Sequence, residues 1–85
     1  MQSENSLPIQ WNVPVRIRVG YGIADAVHGP EEALHHLTYR WPVTDGAHYD
    51  NARLQCLQAL QKRISAEVVR ETFLAASFEA GMLER

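Results

Sequence analysis

The sequence predicts a small single α+β domain in the order β-β-α-α-α, an N-terminal antiparallel hairpin packed on three helices. Three observations predict it. Val13, Val15, Ile17 and Val19 alternate with Asn12, Pro14, Arg16 and Arg18, the period of a half-buried strand. From Pro30 onward, apolar residues recur every three or four positions in three separate runs, the period of amphipathic helices. The length, 85 residues, fits one domain and no more.

Met1 to Gln10 is polar and reads as a flexible tail, with the single domain spanning 11–85 and Trp11 marking the start of order. In the first strand Pro14 lacks an N–H, which places it at a sheet edge or a strand start. Arg16 and Arg18 fall on the wet face. Gly20-Tyr21-Gly22 supplies the conformational freedom of a tight turn. Ile23 to His28 forms the return strand, with an imperfect pattern: Ile23 and Val27 share a face with Asp25, while Ala24 and Ala26 take the other. Gly29-Pro30-Glu31-Glu32 starts a helix, since proline suits the first helical position and carboxylates complement the positive end of the helix dipole. Its stripe is Ala33, Leu34, Leu37 and Trp41, and Pro42 ends it.

Thr44 or Asp45 is the expected cap of the second helix, whose stripe is Tyr49, Ala52, Cys56, Leu57, Leu60 and Ile64. Ser65 caps the third, with Glu67 in its first turn. Val69, Phe73, Ala76 and Ala80 form its apolar stripe, Leu74 and Phe78 extend it sideways, and Gly81 fits the position that stops it. Met82 and Leu83 either pack back on the core or add a short strand. A two-stranded hairpin is marginal in water, so the helices must cover one face of it, and an uncovered strand edge offers pairing to a second copy.

Trp41-Pro42, Gly46, Tyr49, Ala52 and Cys56, followed by Phe73, Ala75-Ala76 and Glu79-Ala80-Gly81, form a distinctive series. It follows a Pro14-Val15 strand and a Glu32-Ala33-Leu34 helix start. From about Trp11 to Met82 the chain resembles a family of small bacterial proteins catalogued as domain of unknown function 982. The resemblance implies the fold and carries no activity, so no catalytic residue is transferred. One departure stands out. The glycine often found just after that family's second helix is absent, and Gln61-Lys62-Arg63 continue instead, which predicts a helix running a turn further.

Composition narrows the function. Lys and Arg number 8 against 10 Asp and Glu, a net charge of −2, so there is no basic balance for non-specific nucleic-acid binding. No apolar run approaches the roughly 20 residues of a membrane span. The N-terminus shows no basic start and no apolar run of a secretory signal, so the expected compartment is the cytoplasm. One cysteine cannot form an internal disulfide or a cysteine zinc site.

No residue is assigned a catalytic, cofactor-binding or metal-ligating role, and no cofactor is expected. Cys56 sits mid-helix on an apolar stripe, eight residues or roughly 12 Å from His48. That separation favours a buried small hydrophobe over a nucleophile. His35 and His36 are adjacent and diverge by about 100°, and no histidines stand at i, i+4 for chelation, so His28, His35, His36 and His48 read as surface or capping residues. Asp45, Asp50, Glu31 and Glu32 are explained by helix starts. Gly20-Tyr21-Gly22 lacks the third glycine of a dinucleotide loop and joins strand to strand.

The candidate interaction surface is Trp41, Tyr49, Arg16, Arg18 and Tyr21. Trp41 and Tyr49 flank the Trp-Pro loop, where aromatics either close a small core or anchor an interface. The function expected first is a non-enzymatic interaction module, its partner another protein or a second copy of the chain. The alternative is a single-strand nucleic-acid binder using the arginines and Tyr21, opposed by Glu67, Glu71, Glu79 and Glu84 against only Arg70 and Arg85 in the last segment. No membrane partner is expected.

Overall fold

In the structure, a computed structural model, residues 9–20, 22–42 and 44–83 are described. Most of the expected tail (residues 1–8), Tyr21 and residues 84–85 therefore lie outside the described residues.

β1 (Val15–Ile17) and β2 (Asp25–Val27) pair antiparallel in the register Val15 to Val27, Arg16 to Ala26 and Ile17 to Asp25. Val15 and Ile17 are buried and Arg16 is exposed, so the alternation decides the face as expected. Both strands are shorter than the sequence predicts. Pro14 cannot donate to the ladder, and Val13 before it is exposed. At the other end the Arg18 N–H turns away to the Met82 carbonyl at 2.8 Å. Ile23 is 88% exposed, which excludes it from the return strand. The outer side of β1 is not open, because Leu83 forms an antiparallel bridge with Ile17 there. Met82 and Leu83 thus do both things expected of them: Met82 is buried and Leu83 pairs.

α1 (Pro30–Tyr39) begins with Pro30 in its first turn and Glu31 and Glu32 beside it. Its cap, Gly29, has no side chain to offer. Glu32 reaches back instead and accepts the His28 N–H at 3.0 Å. Gly29 serves a close approach: a Cβ there would run into the Ile9 carbonyl oxygen. The chain just beyond is held by the Trp11 N–H, which donates to the His28 carbonyl at 2.7 Å.

α2 (Ala47–Leu60) is capped by Gly46 at φ 109° with no side-chain cap bond, so neither Thr44 nor Asp45 does the capping expected of it. The helix also does not run on. The Lys62 N–H donates to the Ala59 carbonyl and the Arg63 N–H to the Gln58 carbonyl, at 2.9 and 2.8 Å. This is the reciprocal pair of bonds that closes a helix around a left-handed residue. Here that residue is Lys62, at φ 62°. α3 (Ala66–Glu79) starts on Ser65, whose Oγ accepts the Glu67 N–H at 3.1 Å. It ends in the same motif with the expected glycine: Gly81, at φ 72°, donates to Phe78, and Met82 donates to Ser77.

α2 packs on both α1 and α3. Phe73 is fully buried, with the rings of Trp11 and Trp41 at 5.8 and 5.4 Å. Two stripes are rotated from expectation. α2 buries Tyr49, Ala52, Cys56 and Ala59, leaving Leu57 43% exposed. α3 buries Val69, Phe73, Ala76 and Ser77, leaving Phe78 64% exposed. Leu57 and Phe78 each follow an inward residue by one position, a turn of about 100° out of the core.

Lys62 carries a backbone penalty that glycine lacks. A left-handed conformation costs an L-residue roughly 1–2 kcal/mol, of which glycine's greater unfolded freedom returns about 0.5–1. Lys62→Gly is therefore expected to stabilise the fold by about 0.5–1 kcal/mol and raise Tm by about 3–6 °C. Lys62→Ala keeps the Cβ and is expected to gain nothing; thermal melts of the three proteins make the comparison.

Candidate functional site

α1 closes at Arg40, two residues before Pro42, and the chain re-enters a helix at Gly46. That short excursion places Trp41 against Phe73 and brings Tyr49, in the first turn of α2, over the end of α1. The Tyr49 hydroxyl donates to the Leu37 carbonyl at 2.7 Å, which satisfies one of the acceptors a helix C-terminus leaves over. Both rings are almost wholly buried. Their remaining exposed surface lines a cleft of about 160 Å³ together with Asp45, Gly46, Ala76, Glu79 and Ala80.

The cleft has three walls of different character. Trp41 and Tyr49 form the aromatic wall. Ala76 and Ala80, one turn apart on α3, are too small to fill the space in front of them. Asp45 and Glu79 stand at the rim as exposed carboxylates. His48 Nδ1 lies 3.1 Å from Glu79 Oε1, tying the start of α2 to the end of α3. Asp45 is available to the cleft because it does not cap α2.

The expected interaction surface therefore divides. Trp41 and Tyr49 come together, but as the inner wall of a cleft rather than as exposed platforms. Arg16 and Arg18 are not among its lining residues. Arg16 is exposed on β1, and Arg18 Nη1 donates to the Gly22 carbonyl at 2.6 Å, bracing the turn. Tyr21 lies outside the described residues. Sequence reading missed Asp45 and Glu79 as a pair, because Asp45 has a sufficient local explanation as a cap and Glu79 counted only towards the charge of the last segment.

Cys56 and His48 do not converge. Cys56 is fully buried in the middle of α2, and burial pushes its thiol up from 9.0 to about 12. A second polar cluster joins β2 to α1. His28 donates to Glu32 Oε1 from both its main-chain N–H and its Nδ1, each at 3.0 Å. Burial raises the Glu32 carboxyl, but the His28 hydrogen bonds and the charges of His28 and His36 outweigh it and hold the group below its usual 4.5. His36 is buried, contrary to the surface or capping role expected of it. Its Nδ1 is 2.9 Å from the Glu32 carbonyl oxygen, which makes that nitrogen the donor. Its Nε2 has no hydrogen-bond partner and lies 3.7 Å from Asp25 Oδ2, which Arg40 approaches at 3.3 Å. Among the described residues, no group of three or more His, Cys, Asp or Glu is placed to hold a metal ion, and no helix is long and apolar enough to cross a membrane.

A family model described as "Protein of unknown function (DUF982)" matches residues 13–84. The NMR structure of Agrobacterium tumefaciens protein Atu1219, a structural genomics target, is similar to this chain, with a TM-score of 0.78 and 28% sequence identity. The match covers 100% of this chain and 85% of that one. No curated protein matches.

The environment of Cys56 sets its reactivity. With the thiol raised from 9.0 to about 12, the thiolate fraction near pH 8 falls by several hundredfold or more. Iodoacetamide is expected to alkylate the native protein at least about a hundredfold more slowly than the urea-unfolded chain, read by mass spectrometry. Comparable rates would place the thiol in an accessible, activated setting.

Proposed function

The chain belongs to the DUF982 family, and we propose that it works as a small non-enzymatic interaction module that associates with a second copy of itself. The observation that carries this reading is the outer face of α2. Leu54 is 54% exposed and Leu57 43%, three residues apart on the side of the helix turned away from the buried stripe. Apolar residues on both faces of a helix that already packs on α1 and α3 support a further partner for it. A chain of this size buries a smaller fraction of its surface than a larger domain, so covering an apolar face also adds to its stability.

The hairpin offers less. Leu83 occupies the outer side of β1, which leaves β2 as the edge of the described sheet. Single-strand nucleic-acid binding through Arg16 and Arg18 has a cost as well, since a phosphate would have to draw Arg18 off the Gly22 carbonyl. The single cysteine, buried and free, suits a reducing compartment, and the reading places the module in the bacterial cytoplasm.

Sedimentation equilibrium tests the proposal. Between about 5 and 500 μM the mean mass is expected to rise from monomer towards dimer, as a micromolar self-association requires. Leu54→Glu combined with Leu57→Glu is expected to hold the monomer mass across the same range with an unchanged circular dichroism spectrum. A wild-type mass fixed at the monomer value throughout overturns the reading.

A further inference from the structure

We propose that the cleft between the start of α2 and the end of α3 binds a guanidinium group, the side chain of an arginine presented by a partner peptide. The site is separate from the outer face of α2 and does not depend on self-association.

Four features point to this chemistry. First, the two charged lining residues are both acidic, Asp45 and Glu79. His48, with Nδ1 3.1 Å from Glu79 Oε1, offsets that charge only when it is protonated. Second, Trp41 and Tyr49 give the cleft an aromatic wall, and a cation is attracted to the negative face of such rings. Third, Glu79 and Ala80 belong to the last turn and cap of α3, the negative end of that helix, where a positive group is favoured. The opposing term is the positive start of α2 at Gly46. Asp45 just before it and Asp50 in its first turn answer that charge.

Size is the fourth. A cleft of about 160 Å³ corresponds to roughly five water volumes. That is space for a guanidinium with its last methylene or two, and it is too small for a nucleotide. Between the two cationic side chains, the guanidinium is favoured. Its planar fork can donate to two carboxylates and stack on an aromatic ring together, which a compact ammonium cannot do.

The test is a ¹H–¹⁵N titration with N-acetyl-arginine methylamide, set against the uncharged isostere N-acetyl-citrulline methylamide. The expected result is saturable shift changes at the Gly46, Ala47 and Ala80 amides and the Trp41 indole with the arginine probe alone. Binding is expected to weaken about fivefold or more in Asp45→Asn with Glu79→Gln, two exposed positions whose exchange leaves the fold intact. Ala80→Leu, which fills the cleft without touching the carboxylates, is expected to abolish it independently. No saturable change at those groups up to about 50 mM overturns the proposal. So does an equal response to citrulline, or undiminished binding in the double variant.

Discussion

Phe73 is the residue on which the rest of the molecule depends. It is fully buried on α3, and the two tryptophan rings close on it from different parts of the chain. Trp11 brings the segment before β1, and its Nε1–H donates to the Ala66 carbonyl at 2.7 Å, so the contact is fixed at both the apolar and the polar end. Trp41 brings the loop that joins α1 to α2. Strands of three residues cannot sustain a hairpin in water by pairing alone. The hairpin persists because Val15, Ile17 and Val27 extend the same core that the three aromatic rings begin.

The chain on either side of the hairpin and first helix is placed by local motifs of the same kind. At the end of α3, Gly81 turns the chain back so that Met82 enters the core and Leu83 reaches Ile17. At the start of α1, the absence of a side chain at Gly29 lets the Ile9–Gln10 backbone pass close by. Each device is one glycine deep, and the one at Gly81 covers the outer side of β1. α2 ends by the same bonds as α3 but with Lys62 in the left-handed position, so helix termination here follows from the geometry of the closing bonds more than from the residue.

The fold was legible because its signals are local and periodic. Period-two alternation at Val15 and Ile17, proline at the start of α1, Ser65 before α3 and Gly81 after it all act within a few residues. What was not legible depends on contacts between distant segments. Whether Leu57 or Ala59 faces inward depends on where α1 and α3 sit around α2, and both lie on apolar arcs of the helical wheel. Leu83 pairs with Ile17 across 66 positions of chain, which no periodicity records. Asp45 satisfies every sequence rule for a cap, yet Gly46 takes the position. The candidate site was half legible for the same reason. Trp41 and Tyr49 were visible as aromatics flanking a loop, but their acidic neighbours meet only when α2 and α3 are packed.

That packing also separates what holds the fold from what is available for binding. Ala76 and Ala80 let α3 approach its neighbours closely, and the same small side chains leave the cleft in front of the Trp41 and Tyr49 rings. The rim carboxylates contribute little to the fold. Asp45 makes no cap, and the His48–Glu79 pair joins two side chains about half exposed, where such a pair is worth at most about 1 kcal/mol. Tyr49, by contrast, anchors α2 to α1 through a buried hydrogen bond, and Trp41 anchors the loop through Phe73. The charges at the mouth can therefore vary without loss of the core while the aromatic wall cannot. A rigid wall with freely substitutable charges in front of it is the arrangement a recognition site requires.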